Sequence, residues 1–195
     1  MKIKLSGSSA IIKLSKKESS IQWDQLENYE QILQCRQIEI LAKENLHTPN
    51  FTQTPLLNNL TLSGESLEQI ENISELQLTK LKISGSDLNE IPKINFHHLT
   101  HLSLPRNKVE IASLKFDTNC CLQELDLGQN QITKLDINFS FFPKLKRMNL
   151  EHNQITDLPD ELFELKELSH LALKGNPLSE KTQQRLYDVF KIVFE

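Results

Sequence analysis

An α/β solenoid with a parallel sheet along its concave side is the fold this sequence predicts, and three observations predict it. The first is a spacing that repeats through the second half of the chain. Leu99-Leu102-Leu104-Asn107-Val109, Leu122-Leu125-Leu127-Asn130-Ile132, Leu145-Met148-Leu150-Asn153-Ile155 and Leu168-Leu171-Leu173-Asn176-Leu178 place the same residue types at the same offsets. Their starts lie 23 residues apart (122−99, 145−122, 168−145), whereas chance yields roughly 0.3 such matches in a chain of this composition. The second is alternation within each copy, where x-Leu-x-Leu suits a short strand with its leucines inward and the intervening residues outward. The third is the asparagine nine positions into each copy, where the chain must bend away from the strand. Its amide can bond the backbone groups freed at that bend, and stacked copies form a ladder of Asn107, Asn130, Asn153 and Asn176.

Three weaker copies precede these, starting at Cys35, Leu57 and Leu78 and spaced by 22, 21 and 21 residues. Where asparagine belongs they carry Lys43, Glu65 and Ser86. A serine can replace the amide in part, but a charged residue does not belong in a dry core, so a looser N-terminal half is expected. Residues 3–10, Ile-Lys-Leu-Ser-Gly-Ser-Ser-Ala, echo the Leu-Thr-Leu-Ser-Gly and Lys-Ile-Ser-Gly-Ser segments and suggest a degenerate eighth strand. On the return arm, Leu135, Phe139 and Phe142 share offsets with Leu158, Leu162 and Leu165, so the phenylalanines belong to the core and not to an aromatic ligand site.

With these copies in hand, the chain resembles the leucine-rich-repeat family over almost everything from residue 35 to 180. The run Asn-Gln-Ile-Thr-Asp-Leu-Pro-Asp-Glu-Leu-Phe-Glu-Leu from Asn153 is similar to the 23-residue class of intracellular and bacterial members. The resemblance implies a right-handed horseshoe whose task is to hold another protein. One domain over 1–195 is expected, with an N-terminal strand and cap helix at 1–34, about seven repeats at 35–178, and a C-terminal cap helix at 179–195. The cap helices are read from sequence. Ser20 precedes an amphipathic run containing Trp23, Leu26, Tyr29 and Ile32, and Ser179 caps a run that places Leu186, Val189, Phe190 and Val193 on one face.

Composition narrows the function classes. A formal net charge of -4 on 195 residues gives no basic track for nucleic acid, and the sequence holds no 18-residue apolar run to span a membrane. Three cysteines, Cys35, Cys120 and Cys121, make no disulfide framework, which favours a reducing, cytoplasmic setting; a secreted bacterial effector is the other setting considered. His97, His98 and His101 cluster, but the cysteines near them have no zinc-ligand spacing. Glycine-rich phosphate loops and nucleophile elbows are missing too, so no cofactor and no metal are expected.

The informative polar residues fall on the concave face. Read down the stack, the first outward strand position gives Gln37, Asn59, Lys80, His101, Glu124, Arg147 and His170, and the second gives Glu39, Thr61, Lys82, Ser103, Asp126, Asn149 and Ala172. Arg106, Gln129, Glu151 and His152 follow beyond the strands. Lys80 and Lys82 form a basic spot, Glu124 and Asp126 an acidic one two turns away, a bipolar pattern suited to a mixed-charge protein segment. The expected function is non-catalytic binding of another protein by a monomer, without nucleic acid or membrane. The partner-binding residues are Lys80, Lys82, His101, Arg106, Glu124, Asp126, Arg147 and His152. Two other readings remain open: an enzyme using His101, Glu124 or Asp126 as acid and base, and an oligomerising scaffold.

Overall fold

The computed structural model describes residues 1–14, 22–43, 45–46, 48, 50–67, 70, 72–114 and 120–191. In chain order the strands among them are β1 (Lys2–Ser6), β2 (Ser9–Lys13), β3 (Gln37–Leu41), β4 (Asn45–Leu46), β5 (Asn59–Ser63), β6 (Ser66–Leu67) and β7 (Lys80–Ser84). They continue with β8 (His101–Ser103), β9 (Ile111–Leu114), β10 (Glu124–Asp126), β11 (Lys134–Ile137), β12 (Arg147–Asn149) and β13 (His170–Ala172). Two helices, α1 (Tyr29–Leu33) and α2 (Glu180–Phe190), and several short 3₁₀ turns complete the described elements.

Nine strands make one sheet in the order β1-β2-β3-β5-β7-β8-β10-β12-β13. Apart from the antiparallel β1–β2 pair, every neighbouring pair in it is parallel. This is a solenoid sheet, one strand per turn. Its register follows the repeat without slippage, so that Leu81, Leu102, Leu125, Met148 and Leu171 are aligned neighbour to neighbour. The inward residues of β2 through β12 in this sheet are buried, from Ala10 and Ile12 through Leu125 and Leu127 to Met148 and Leu150, while Ile3, Leu5 and Leu171 on the end strands are half-buried. The return arm closes over them. Leu135, Phe139, Phe142, Leu158 and Leu162 are buried, and the Phe139 and Phe142 ring centroids lie 5.8 Å apart. Burying one such side chain contributes about 1.5–3 kcal/mol. Two short parallel pairs, β4 with β6 and β9 with β11, run along this arm outside the main sheet.

The asparagine ladder forms as the spacing predicts. Asn130 Nδ2 donates to the carbonyls of Leu104 (2.9 Å), Leu127 (3.0 Å) and Gly128 (3.3 Å), while its Oδ1 accepts from the Val109 N–H at 3.2 Å. Asn153 repeats this with Leu127, Leu150 and Glu151, and with the Ile132 N–H. Asn176 bonds Leu150, Leu173 and the Ile155 N–H. Asn107 reaches back across the boundary to the weaker copies, donating to Ile83 and accepting from the Ser86 N–H. Ser86 does occupy the ladder position, buried, and its hydroxyl donates to the Ser84 carbonyl at 3.2 Å. Lys43 and Glu65 stay exposed outside the core.

The N-terminal turns differ from the expected looseness in one respect. Their backbone pairing is as continuous as that of the consensus turns: β2, β3, β5 and β7 pair over five residues each. In the consensus turns a three-residue ladder continues into the bend through Leu104 N–H to Asp126 O and Arg106 N–H to Gly128 O. Loss of the asparagine therefore removes a side-chain ladder and leaves the sheet intact, because strand pairing is a backbone property that the inward leucines already hold in register.

The N-terminal end also departs from the expected helical cap. Segment 3–10 is not a repeat strand but a hairpin: β1 turns at Gly7 and Ser8 and pairs antiparallel with β2, Lys2 against Lys13 and Lys4 against Ile11. β2 is the first true repeat strand, with Ala10 opposite Ile38 and Ile12 opposite Ile40. Trp23–Gln25 is a 3₁₀ turn and α1 only five residues, and both lie on the arm that leads from β2 to β3. Trp23 and Ile32 are buried there. Ser20, the expected N-cap, falls outside the described residues.

At the other end α2 runs as expected for the first eleven residues after Ser179, whose Oγ accepts from the Thr182 N–H at 3.2 Å. Its buried stripe is narrower than the sequence suggests. Thr182 and Leu186 are buried and Phe190 half-buried, whereas Val189 is 48% exposed; Val193 falls outside the described residues. A helix laid against a single turn covers little more than the i, i+4, i+8 row. The helix is tied to the last return arm by polar contacts. Asp157 accepts from Ser179 Oγ at 2.8 Å and Thr182 Oγ1 at 3.1 Å, Arg185 pairs with Asp160 and lies over the Phe163 ring at 4.0 Å, and Phe163 stacks on Phe190.

Two predictions follow from these contacts. Asn130→Ala is expected to destabilise by about 1–3 kcal/mol, since the buried Val109 N–H loses its partner and the carbonyls of Leu104, Leu127 and Gly128 each lose one of two donors, and Ser86→Ala by about 1 kcal/mol or less. Urea unfolding of both variants measures the difference; equal losses would contradict the ladder's role. The second concerns acid. Hydrogen bonds, Ser179's first, hold the Asp157 carboxyl below the usual carboxylate range, and the Arg185 hydrogen bond does the same for Asp160. A folded pKa below the unfolded value of about 3.9 gives stability that is present above that pH and is lost as pH falls through the folded values. The hydrogen-exchange protection factors of the α2 amides should therefore fall on acidification below about pH 4, and Asp157→Asn should flatten that dependence. An acid response identical in the two proteins would show that Asp157 does not hold the helix.

Candidate functional site: the concave sheet face

Parallel pairing with one strand per turn aligns outward side chains into columns. The first column is Gln37, Asn59, Lys80, His101, Glu124, Arg147 and His170, each the registered partner of the next. The second is Glu39, Thr61, Lys82, Ser103, Asp126, Asn149 and Ala172. A third set of positions follows at the bend, just before the ladder residue: Gly85, Arg106, Gln129, His152 and Gly175, all in the left-handed region with φ between 54° and 77°.

The structure brings Glu124 between His101 and Arg147, with His101 Nε2 3.6 Å from Glu124 Oε2 and Arg147 Nε 3.9 Å from Glu124 Oε1. The Thr100 hydroxyl donates to the Thr79 carbonyl at 3.0 Å and lies 2.7 Å from His101 Nδ1. With its single proton spent there, that hydroxyl accepts from Nδ1–H, and His101 then donates to Glu124 only when Nε2 also carries a proton. His170 repeats the arrangement with Ser169, which donates to the Lys146 carbonyl.

Asp126 is tied more tightly than an acidic spot implies. Its Oδ1 accepts from Asn149 Nδ2 at 2.9 Å and from the Gly128 N–H at 3.1 Å, and its Oδ2 accepts from Ser103 Oγ at 3.1 Å. Asn149 Oδ1 in turn accepts from the Glu151 N–H. Glycine at 128 is required by this network, since a Cβ there would stand 2.8 Å from Asn149 Nδ2. Glu124, Asp126, Arg147, Asn149 and Glu151 line an open groove of about 790 Å³ above β10, β12 and β13, which reaches Ala172 and Phe190.

The remaining expected residues stand apart from this cluster. Arg106 does not pair with Glu124 or Glu151; its Nε donates to Gln129 Oε1 at 2.8 Å. His152 is exposed at the bend, its ring over Gly175, where a Cβ would come within 2.6 Å of Nδ1. Lys80 and Lys82 are exposed on β7, and none of the salt bridges among the described residues involves them. For acid–base chemistry His101 and Glu124 are close, but Asp126 does not join them, as both its oxygens are engaged.

No group of three His, Cys, Asp or Glu among the described residues converges as a metal site. His97 is occupied by Asn95 Oδ1 at 3.0 Å, and Cys35, Cys120 and Cys121 are free thiols. None of the helices among the described residues is long and apolar enough to cross a membrane.

Sequence reasoning missed one part of this face. Because β1 and β2 form a hairpin, Lys2, Lys4 and Lys13 lie on the same side as Lys80 and Lys82, while Ile3, Leu5, Ala10 and Ile12 face the interior. Alternation on both sides of Gly7-Ser8 was the available signal, because a tight two-residue turn between alternating strands is the mark of a hairpin.

Comparison with known proteins agrees with this architecture. Residues 120–178 match the leucine-rich-repeat family model. Among solved structures, an internalin of Listeria monocytogenes superposes with a TM-score of 0.54 at 20% identity, over 83% of this chain and 54% of its own length. A leucine-rich-repeat protein of Leptospira interrogans does so with a TM-score of 0.56 at 23% identity, over 85% of this chain and 56% of its own. The chain thus spans little more than half the length of either. No curated protein matches the sequence. In its repeat, its ladder and its one-strand-per-turn sheet, the chain has the leucine-rich-repeat fold, and residues 120–178 match that family.

Proposed function

We propose that this protein is a non-catalytic binding module that holds a partner protein against its concave sheet face. The observation that carries the reading is the registered face itself: seven consecutive parallel strands present two aligned columns of mostly polar side chains over a rigid, ladder-stapled core. A surface of this kind costs little ordering entropy on binding, because its backbone is already fixed. The open groove above β10, β12 and β13, bordered by Arg147, Asn149 and Glu151, has room for several side chains of such a partner.

Binding energy in such a face concentrates in a few central residues. Of the eight expected, Arg106 and Arg147 are exposed guanidiniums, one at the bend after β8 and the other on β12, and a planar fork of donors suits partner carboxylates. Lys80, Lys82, His101, Glu124, Asp126 and His152 supply the surrounding polarity. A monomer in a reducing, cytoplasmic compartment fits the three free thiols.

Affinity capture with the intact chain supplies the partner for the test. Charge reversal at Arg106 and Arg147 is then expected to weaken binding at least about tenfold, near 1.4 kcal/mol, with the fold unchanged. Reversal at Lys134 and Glu164, both exposed on the return arm, should leave affinity within about twofold. Loss of binding through the return-arm changes alone would place the interface on the wrong face.

A further inference from the structure

The two halves of the concave face differ in how their charges are met. Toward the C-terminus the charges are met internally, Glu124 by Arg147 and Asp126 by Ser103, Asn149 and the Gly128 N–H. Toward the N-terminus they are not. The outward positions of β1, β2, β3, β5 and β7 carry Lys2, Lys4, Lys13, Lys80 and Lys82 against the single carboxylate of Glu39. All five lysines are exposed, and no salt bridge among the described residues reaches any of them. Five cations to one anion leaves a surplus of four on this half-face, in a chain whose formal net charge is -4.

We infer that the N-terminal half of the concave face binds an acidic, extended segment of a partner protein, laid across the strands; the inference rests on the protein-binding reading above and names the chemistry of that partner. Unpaired lysines on a fixed sheet gain little from one another and repel, so an anionic segment relieves that repulsion while making new contacts. From β1 to β7 the sheet steps four times, about 19 Å at the usual strand spacing, which an extended segment of about six residues covers.

Two features favour a protein segment over a nucleic acid. The cations are all lysines, and none of the outward positions on these strands holds an aromatic ring on which a base could stack. Half-buried Ile11 and Leu41 lie among the lysines, Ile11 opposite Lys4 and Leu41 opposite Lys13. They offer an apolar contact to a Leu or Phe of the segment, which a phosphate backbone does not use.

The test is selection of a random peptide library of about twelve residues on the intact chain at low salt, followed by fluorescence anisotropy of the enriched peptides. Enrichment of peptides with several Asp or Glu and at least one apolar residue is expected. Their affinity should fall at least about tenfold in Lys80→Glu/Lys82→Glu and in Lys2→Glu/Lys4→Glu, and by less in the Lys→Gln counterparts. It should weaken as salt rises and stay within about twofold in Lys134→Glu/Lys144→Glu. Circular dichroism and melting of each variant separate binding loss from unfolding.

Acid-free peptides whose binding is lost on Arg147→Glu would overturn the acidic-partner inference and leave the concave-face reading standing. Peptides that none of these changes affects would overturn both. Absence of enrichment would overturn the inference. So would an oligothymidylate of about twelve nucleotides that binds tighter than every acidic peptide, which would make the lysines a nucleic-acid surface.

Discussion

At the end of each consensus strand the chain must leave the sheet and cross the interior, and the carbonyls of Leu104, Leu127 and Leu150 then lie where water does not reach. Each such acceptor left unmet costs about 1–3 kcal/mol. One asparagine amide meets the need twice over, bonding the carbonyl of its own turn and that of the turn before, as Asn130 does with Leu127 and Leu104. Its carbonyl oxygen takes the N–H of a residue in the preceding turn, Val109. Neighbouring turns are therefore joined by side-chain bonds as well as by the sheet, and the register of every outward column depends on that fixed repeat. Stability in such a stack resides in the turns and the contacts between neighbours.

The same physics explains what was legible in the amino-acid order. Inward leucines, ladder asparagines and return-arm phenylalanines obey a spacing because each must fill the equivalent place in every turn, so their alignment alone places them. Both outward columns followed automatically from that register. The hairpin did not, because Ile3-Lys4-Leu5-Ser6-Gly7 imitates a repeat strand followed by its bend. Chain direction is invisible to a pattern with period two. The helix expected over the first turn failed for a related reason, since Trp23, Tyr29 and Ile32 have helical spacing yet fall in two separate short elements, a 3₁₀ turn and a five-residue helix.

Side-chain partnership on the open face was the least legible level. Nothing in the order of residues says that Asp126 spends both oxygens on Ser103, Asn149 and Gly128, or that Arg106 turns to Gln129 rather than to a carboxylate. These choices depend on rotamers and on residues 23 positions away. Their consequence is that formal charge is a poor guide to available charge. Glu124 and Asp126 form an acidic spot in sequence but are largely answered in the structure, whereas Lys80 and Lys82 keep theirs.

The bend column shows how far the ladder's grip extends. Gly85 and Gly175 take the left-handed conformation freely, but Arg106, Gln129 and His152 hold it with side chains attached, at φ of 58°, 56° and 54°. A non-glycine residue there costs about 1–2 kcal/mol. In each case the next residue is a ladder asparagine with four or five bonds, Asn107, Asn130 or Asn153, and those bonds fix the backbone before the side chain has a choice. Each also closes a parallel backbone bond from the strained residue itself, Arg106 N–H to Gly128, Gln129 N–H to Glu151 and His152 N–H to Lys174. The strain is thus absorbed by the part of the molecule best able to hold it. What the chain gains at those three positions is a row of long polar side chains at the rim of the sheet, where glycine would have presented only backbone.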